Sequence, residues 1–277
     1  MRADNDGNIL ELIIHQRRKD VVTARRAVSM DELLGEAETR TRRFSLAGSL
    51  RVHAGPAVIA EVKKASPSAG ELRSHYDPAA LAQGYAIAGA AGISVLTEPR
   101  HFLGSAGDLR AVRKVVDLPV LRKDFICDVY QLAEAAAWGA DVVLLIAAAL
   151  DPTHCRNLFR EACGMNLESI IEVHTADELT VALSCEGALI GVNSRNLKTL
   201  VTDLAVAHEL IGLIPDDRLC IAESGIRTAE DLRRLQEAGY DGFLIGESLL
   251  REPNPGKALK ALIQDAQSSP RDRLDAE

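Results

Sequence analysis

The sequence contains no closely spaced cysteine pairs, no long apolar run, no excess of positive charge and no glycine-rich dinucleotide loop. Its five cysteines, Cys127, Cys155, Cys163, Cys185 and Cys220, stand apart without CxxC spacing, which excludes a disulfide framework and the usual zinc motifs. A reducing, cytoplasmic setting fits that usage. The N-terminus, MRADNDGNIL, lacks a basic segment followed by an apolar one. No stretch reaches the ~18 apolar residues needed to span a bilayer, so no membrane partner is expected. A formal net charge of −8 argues against non-specific nucleic-acid binding while leaving room for a local basic pocket that holds a small anion.

What is present suits one large core. Hydrophobic residues make up 47% of the 277 and charged ones 26%, an ordinary balance for a soluble globular chain. The length allows two average domains or one α/β barrel, and no low-complexity linker divides it. Residues 1 to about 47 read as a helical extension. Ile9, Leu10, Ile13 and Ile14 form an apolar stripe; Arg17, Arg18, Lys19, Arg25 and Arg26 then read as a solvated face; Met30 to Phe44 is a second helical candidate. Without a linker, residues 1–47 are expected to pack on the main domain, so that 1–277 form a single unit. The polar end, 267–277, reads as a disordered tail.

From Ala57 onward, short runs rich in Val, Ile and Leu recur: AVIAEV (57–62), ISVLT (93–97), PVLRK (119–123), DVVLLIA (141–147), ESIIEV (168–173), ALIGVN (188–193), RLCIAE (218–223) and DGFLIG (241–246). Continuous rather than alternating apolarity marks strands buried on both faces, as in a parallel sheet. Between them stand helix starts: Asp77-Pro78 and Asp151-Pro152 as N-cap and first helical residue, with capping-box spacing at Ser105–Asp108, Thr175–Glu178 and Thr228–Asp231. Gly89 or Gly92, Gly139, Gly187 and Gly239 fit C-terminal caps. Eight strands alternating with eight helices predict a (β/α)8 TIM barrel with an N-terminal helical extension. A doubly wound open sheet is the alternative, disfavoured by the strand count and the missing GxGxxG loop.

A barrel gathers its working groups at the C-terminal ends of its strands. These ends carry Glu61 and Lys63; Thr97 and Glu98; Lys123 and Asp124; Glu172; Asn193 and Arg195; Glu223, Ser224 and Gly225; and Gly246, while the fourth ends in plain LIAAAL. Glu61 and Lys63, two positions apart, face the same side. Alone they are equally a structural ion pair or working groups, but a ring of such residues at one mouth is hard to explain as packing. GIRTAED and IGES after the last two strands are glycine turns leading into helix starts, which offer backbone N–H groups to a phosphate. Ser224, Gly225, Gly246 and Glu247 stand there, with Glu247 expected to use its backbone N–H and point its carboxylate outward. The loop 64–77 exceeds the usual ~2–6 residues and is a candidate lid, with Gly70 and Ser74 as flexible points.

The segments EVKKASPSAG, ISVLTEPRHFLGS, LPVLRKDFI, DVVLLIAAAL, LIGVNSRNL, AESGI and FLIGESL, in this order, closely resemble the indole-3-glycerol phosphate synthases, barrel enzymes of tryptophan biosynthesis, over residues 9–265. Cys127 and Ser29-Met30 depart mildly from the family pattern. The resemblance implies ring closure of 1-(2-carboxyphenylamino)-1-deoxyribulose 5-phosphate with loss of carbon dioxide and water, by general acid/base chemistry without cofactor or metal. It implies Lys123, Glu172, Glu61, Lys63 and Asn193 as catalytic residues. Ser66, Phe102, Arg195, Glu223 and Ser224 match substrate-binding positions, with Phe102 flanking the anthranilate ring. Other enzymes of the pathway are the partners it suggests. Competing readings are a phosphate-binding barrel that uses a Schiff-base lysine and a non-catalytic phosphosugar-binding barrel. Asp124 is read as orienting or neutralising Lys123, Lys64 as a loop residue by its parity, His174 as a loop histidine, and Trp138 as core.

Overall fold

The computed structural model describes residues 9–73 and 75–268. Eight parallel strands close into a barrel: β1 (Val58–Val62), β2 (Gly92–Leu96), β3 (Val120–Lys123), β4 (Val142–Ile146), β5 (Glu168–Val173), β6 (Leu189–Asn193), β7 (Cys220–Glu223) and β8 (Gly242–Ile245). Neighbours in sequence are neighbours in the sheet, and β8 returns to β1 with Val58 opposite Phe243. The strands are buried almost throughout, as their unbroken apolarity requires. Each is followed by a helix, and the predicted caps form: Asp77 and Asp151 accept backbone N–H groups ahead of their prolines, and Thr228 and Asp231 make a reciprocal capping box. Ser105 and Thr175 cap from the hydroxyl side only. Gly139 and Gly239 end their helices with φ of 101° and 112°, whereas Gly92 is the first residue of β2 and Gly187 follows a helix already capped at Ser184.

The N-terminal segment embraces the barrel from both ends. Helix α1 (Ile9–Ala27) buries Leu10, Ile13 and Ile14 over the C-terminal mouth. Helix α2 (Met30–Glu38) packs on the helix Val129–Trp138, where Leu33 joins Val21 of α1, Tyr130, Ala133 and Ala137 in a small apolar cluster. The second helix therefore stops six residues short of the predicted Phe44. Arg40 turns the chain by binding the carbonyl of Ala140 (2.6 Å) and Asp141 (2.7 Å). A third helix, α3 (Leu46–Val52), follows, unanticipated in sequence; its N-terminus is held by Ser45 and by Glu168, the first residue of β5, which accepts from the N–H groups of Leu46 and Ala47. Leu46 and Leu50 pack against Gly92 and Gly242, where two strands begin, so α3 closes the N-terminal end. Each such buried leucine contributes roughly 1.5–3 kcal/mol. The helix Pro255–Gln267 reaches into the predicted tail; residues 269–277 lie outside the described residues.

The basic run on α1 is not uniformly solvated. Arg18, Lys19, Arg25 and Arg26 are exposed, but Arg17 is buried and forms a two-pronged ion pair with Asp124 (3.0 and 2.8 Å). Asp124 also accepts from Arg122 (3.0 Å), the Thr97 hydroxyl (2.6 Å) and its neighbour's N–H. Burial disfavours its charge, yet Arg17 and Arg122 outweigh that and hold its carboxyl below the ordinary range. Arg122, fully buried, lies over the half-buried Trp138 ring at 4.1 Å. Replacing Arg17 with alanine is expected to cost about 3 kcal/mol of unfolding free energy, the low end for breaking a buried pair, because Asp124 keeps Arg122. Urea unfolding would read this as a lower midpoint at unchanged slope; an unchanged midpoint would show the pair to be worth no more than a surface one.

Candidate active site

The C-terminal mouth opens into a cavity of about 630 Å3. Alternation along the strands decides what reaches it. Glu61, Lys63, Lys123, Glu172 and Asn193 line it, with apolar walls from Leu96, Leu144, Ile146 and Leu244. Lys123 is the hub: its Nζ donates to Glu172 Oε2 at 3.2 Å and contacts Glu223 Oε2 more closely. Asn193 Nδ2 donates to the other oxygen of Glu172 at 3.0 Å. Beside them Lys63 donates to Glu61 at 2.5 Å. Two glycines make the room: a Cβ on Gly191 would collide with the Glu223 carboxylate, and one on Gly246 with that of Glu61.

The charges are unequal. Three carboxylates face two ammonium groups, leaving one negative charge in excess. Burial opposes the charge on Lys123, but Glu223, Glu172 and Glu61 outweigh it and hold its pKa above the ordinary value. Glu223 does not line the cavity; it lies beneath Lys123, with Oε1 unpartnered among the described residues. Burial, with Glu172 and Glu61 adding to it against the pull of Lys123, pushes its carboxyl up to about 7.

The loops complete the rim. Phe102 and Phe125 lie side by side with ring centres 5.9 Å apart, and both line the cavity with Ile9, Leu10 and Ile13 of α1. Glu98 stands away from the Lys123 cluster: buried, it accepts from the N–H groups of Arg100, His101 and Phe102 and so fixes the loop that carries Phe102. The loop after β1 is a small antiparallel hairpin, Ala65–Ser66 with Gly70–Glu71. Ser66 Oγ accepts from the Ala69 N–H, Arg195 reaches across to Ser68 (2.8 Å), and Arg73 binds the carbonyls of Leu250 and Glu252. Gly70 takes left-handed backbone, φ 67°, at the turn of this hairpin; Ser74 lies outside the described residues.

After β7, Ser224 and Gly225 both take left-handed backbone (φ 65° and 84°), and after β8 Gly246 precedes the short helix Glu247–Leu250. Ser248 donates to the Ile226 carbonyl and ties these two loops together. The helix start within GIRTAED is already satisfied, because Asp231 accepts from the N–H groups of Arg227 and Thr228.

Three expectations need correction. Glu223, expected at a substrate-binding position, does not line the cavity and contacts Lys123 instead. Asp124 borders the cavity but does not neutralise Lys123; it shares the parity of Arg122, and its carboxylate is taken up by Arg17 and Arg122. The Glu247 side chain is not turned away from the site: it lies at the rim between Arg251 (2.8 Å) and Arg195 (3.5 Å). Burial opposes its charge, but Arg251, Arg195 and Lys63 together outweigh that and hold its pKa below the ordinary value. The sequence reading also missed the α1 residues, Phe125 and Arg251 in the lining. The apolar stripe of α1 was the available signal. Among the described residues no cluster of His, Cys, Asp and Glu is arranged to hold a metal.

The sequence model of the family described as "Indole-3-glycerol phosphate synthase" matches residues 10–262. Curated proteins of that name are similar over most of their length: one from Kineococcus radiotolerans is 45% identical over 259 residues, covering 92% of this chain and 94% of the relative. One from Burkholderia multivorans is 45% identical, covering 92% and 99%, and one from Carboxydothermus hydrogenoformans is 44% identical over 261 residues with the same coverage.

The raised Glu223 value has a measurable consequence. Its folded-state pKa of about 7 exceeds the ordinary 4.5, so its contribution to stability is complete below the ordinary value and is lost as pH rises through about 7. Urea unfolding is expected to show stability falling between about pH 5 and pH 8, by up to ~1.4 kcal/mol per pH unit from this group. Glu223→Gln should flatten that part of the curve; an identical slope in the variant would assign the fall to other groups.

Proposed function

The chain belongs to the indole-3-glycerol phosphate synthase family, carbon–carbon lyases of tryptophan biosynthesis, and from that premise we propose how its cavity divides the work. The reaction closes the indole ring of 1-(2-carboxyphenylamino)-1-deoxyribulose 5-phosphate and releases carbon dioxide and water. The aromatic carbon attacks the ketone carbon, and the ketone oxygen gains a proton as its π bond to that carbon breaks. Lys123 supplies that proton: it is the charged group at the base of the cavity, and its contacts with Glu172 at 3.2 Å and with Glu223 are the observation that carries the reading. Decarboxylation then restores the aromatic ring. Loss of the hydroxyl as water needs one group to protonate it and another to take a proton from carbon, roles given to Glu172 and Glu61. Asn193 holds Glu172 in orientation, and Lys63 attracts a substrate anion.

At the rim, Ser66, Arg195 and Ser224 bind polar parts of the substrate, and Phe102, with Phe125, flanks the anthranilate ring. The phosphate is assigned to the loops after β7 and β8, through the backbone of Ser224, Gly225, Gly246 and Glu247. Glu247 then keeps its carboxylate on Arg251. Glu223 contributes indirectly, by holding Lys123. A Schiff-base role suits Lys123 poorly, because an imine forms from the free amine and three carboxylates keep this one protonated.

The same proposal treats the N-terminal helices and the barrel as one domain. It places the enzyme in the cytoplasm, acting on a diffusible small molecule, with other pathway enzymes as candidate partners. Among the described residues no helix is long and apolar enough to cross a membrane.

Supplying the anilino-deoxyribulose phosphate and following indole fluorescence tests the activity, and no signal would overturn it. Lys123→Ala is expected to lower turnover by about 10²–10⁴-fold while substrate binding survives. Near-normal turnover in that variant would remove Lys123 from its role.

A further inference from the structure

Behind Glu172 the loops after β5 and β6 enclose a second hollow of about 70 Å3. Its inner wall includes Glu172 and Asn193, both buried, and its outer wall Thr175 and Lys198, both exposed. It therefore runs from the surface to Glu172, whose two oxygens meet Lys123 and Asn193. At about 30 Å3 per water it has room for two. His174 stands on its wall with Nδ1 2.7 Å from the carbonyl oxygen of Asn193. A carbonyl only accepts, so Nδ1 carries the hydrogen and Nε2 is the lone-pair nitrogen of the neutral ring. Nε2 has no hydrogen-bond partner among the described residues. The His174 backbone N–H donates to Glu178 at 2.7 Å, which holds the residue in place.

The chemistry requires a proton supply. The substrate carboxylate is an anion and leaves as neutral carbon dioxide, so each turnover consumes one proton from solvent. Two protons go onto the substrate, at the ketone oxygen and at the departing hydroxyl, and one returns from carbon. The protonated Lys123 can supply the first of these from the resting enzyme, and the proton must be replaced before the next turnover; Glu172, in contact with Lys123, is where a route to water outside the main cavity would return it.

We propose that His174 and this hollow deliver that proton to Glu172. Nε2 takes a proton from solvent water and gives it up again, through water in the hollow, to the Glu172 carboxylate. An O–H bond forms there as the Nε2–H bond breaks, and the Nδ1–H stays on the Asn193 carbonyl throughout. His174 touches no substrate; acting through Glu172, it is a positioning residue for the proton. The charged groups that line the hollow with it are Glu172, Glu178, Arg195 and Lys198. The inference rests on the acid/base role given to Glu172.

The test compares the intact wild type with His174→Gln at about pH 8.5 in dilute buffer, where solvent supplies protons slowest. Steady-state turnover is expected to fall about tenfold with KM unchanged, while the first turnover after rapid mixing keeps its rate. Added imidazole should restore turnover, a response that a packing defect would not give. Ala148→Leu, which fills the hollow from another wall, should reproduce the slowing with His174 intact. Steady-state turnover within about twofold of wild type in both variants, equal slowing of the first and later turnovers, or no response to imidazole would each overturn the proposal. Glu172→Gln separates the two readings. If it retains turnover, the role of Glu172 fails; if it abolishes turnover while His174→Gln does not, only the relay fails.

Discussion

An ammonium group inside a barrel keeps its charge only where carboxylates surround it, and the mouth of this barrel is organised around that requirement at Lys123. The partners come from strands far apart in sequence: Glu61 from β1, Glu172 from β5 and Glu223 from β7, with Asn193 of β6 occupying the second oxygen of Glu172. Their convergence depends on register. Glu172 lies opposite Gly191, and Asn193 opposite Glu223, across neighbouring strands. It also depends on absent side chains, since any residue larger than glycine at 191 or 246 would occupy the space of a carboxylate. Three carboxylates are one more than the two ammonium groups neutralise, and the deepest, Glu223, is the one whose affinity for a proton rises.

The alternation that turns Lys123 inward turns Arg122 and Asp124 outward. One peptide bond separates the proposed proton donor from the residue that anchors α1. A second tie runs alongside it. Asp20, one turn beyond Arg17, binds Arg100 through both oxygens (2.6 and 2.7 Å), and the loop of Arg100 is fixed by Glu98 and carries Phe102. Helix α1 thus supplies apolar lining and restrains two loops of the rim, which makes the N-terminal segment part of the site's geometry.

How much of this could be read in the sequence follows from where each interaction lies. Strands buried on both faces leave continuous apolar runs, and caps lie within four residues of the helices they start, so both were legible. The end of α2 and the existence of α3 were not, because Arg40 and Leu46 are held by Asp141 and Glu168, more than a hundred residues away. Asp124 was misassigned although strand parity, the same argument that set Lys64 aside, would have turned it from Lys123. The burial of Arg17 was similarly within reach: the stripe of Leu10, Ile13 and Ile14 continues at helical spacing through Arg17 and Val21, both buried. A basic residue in an apolar stripe asks for a carboxylate partner. The placement of Glu247 is tertiary and had no local signal.

The distribution of charge along the cavity explains how a chain with a net charge of −8 can receive an anionic substrate. The carboxylates are deep and paired with Lys123, whereas Arg195 and Arg251 stand at the rim with Lys63 between the two zones. Charges on the far surface are screened within about 8–10 Å at ordinary salt, so the field at the mouth is set by these local cations. Glu247, held ionised between Arg195 and Arg251, tempers them. Both guanidinium groups therefore have an anionic partner before any ligand arrives, and a phosphate or carboxylate entering the mouth exchanges for a carboxylate already present. Exchange of one anion for another avoids the larger cost of leaving a half-buried cation unpaired.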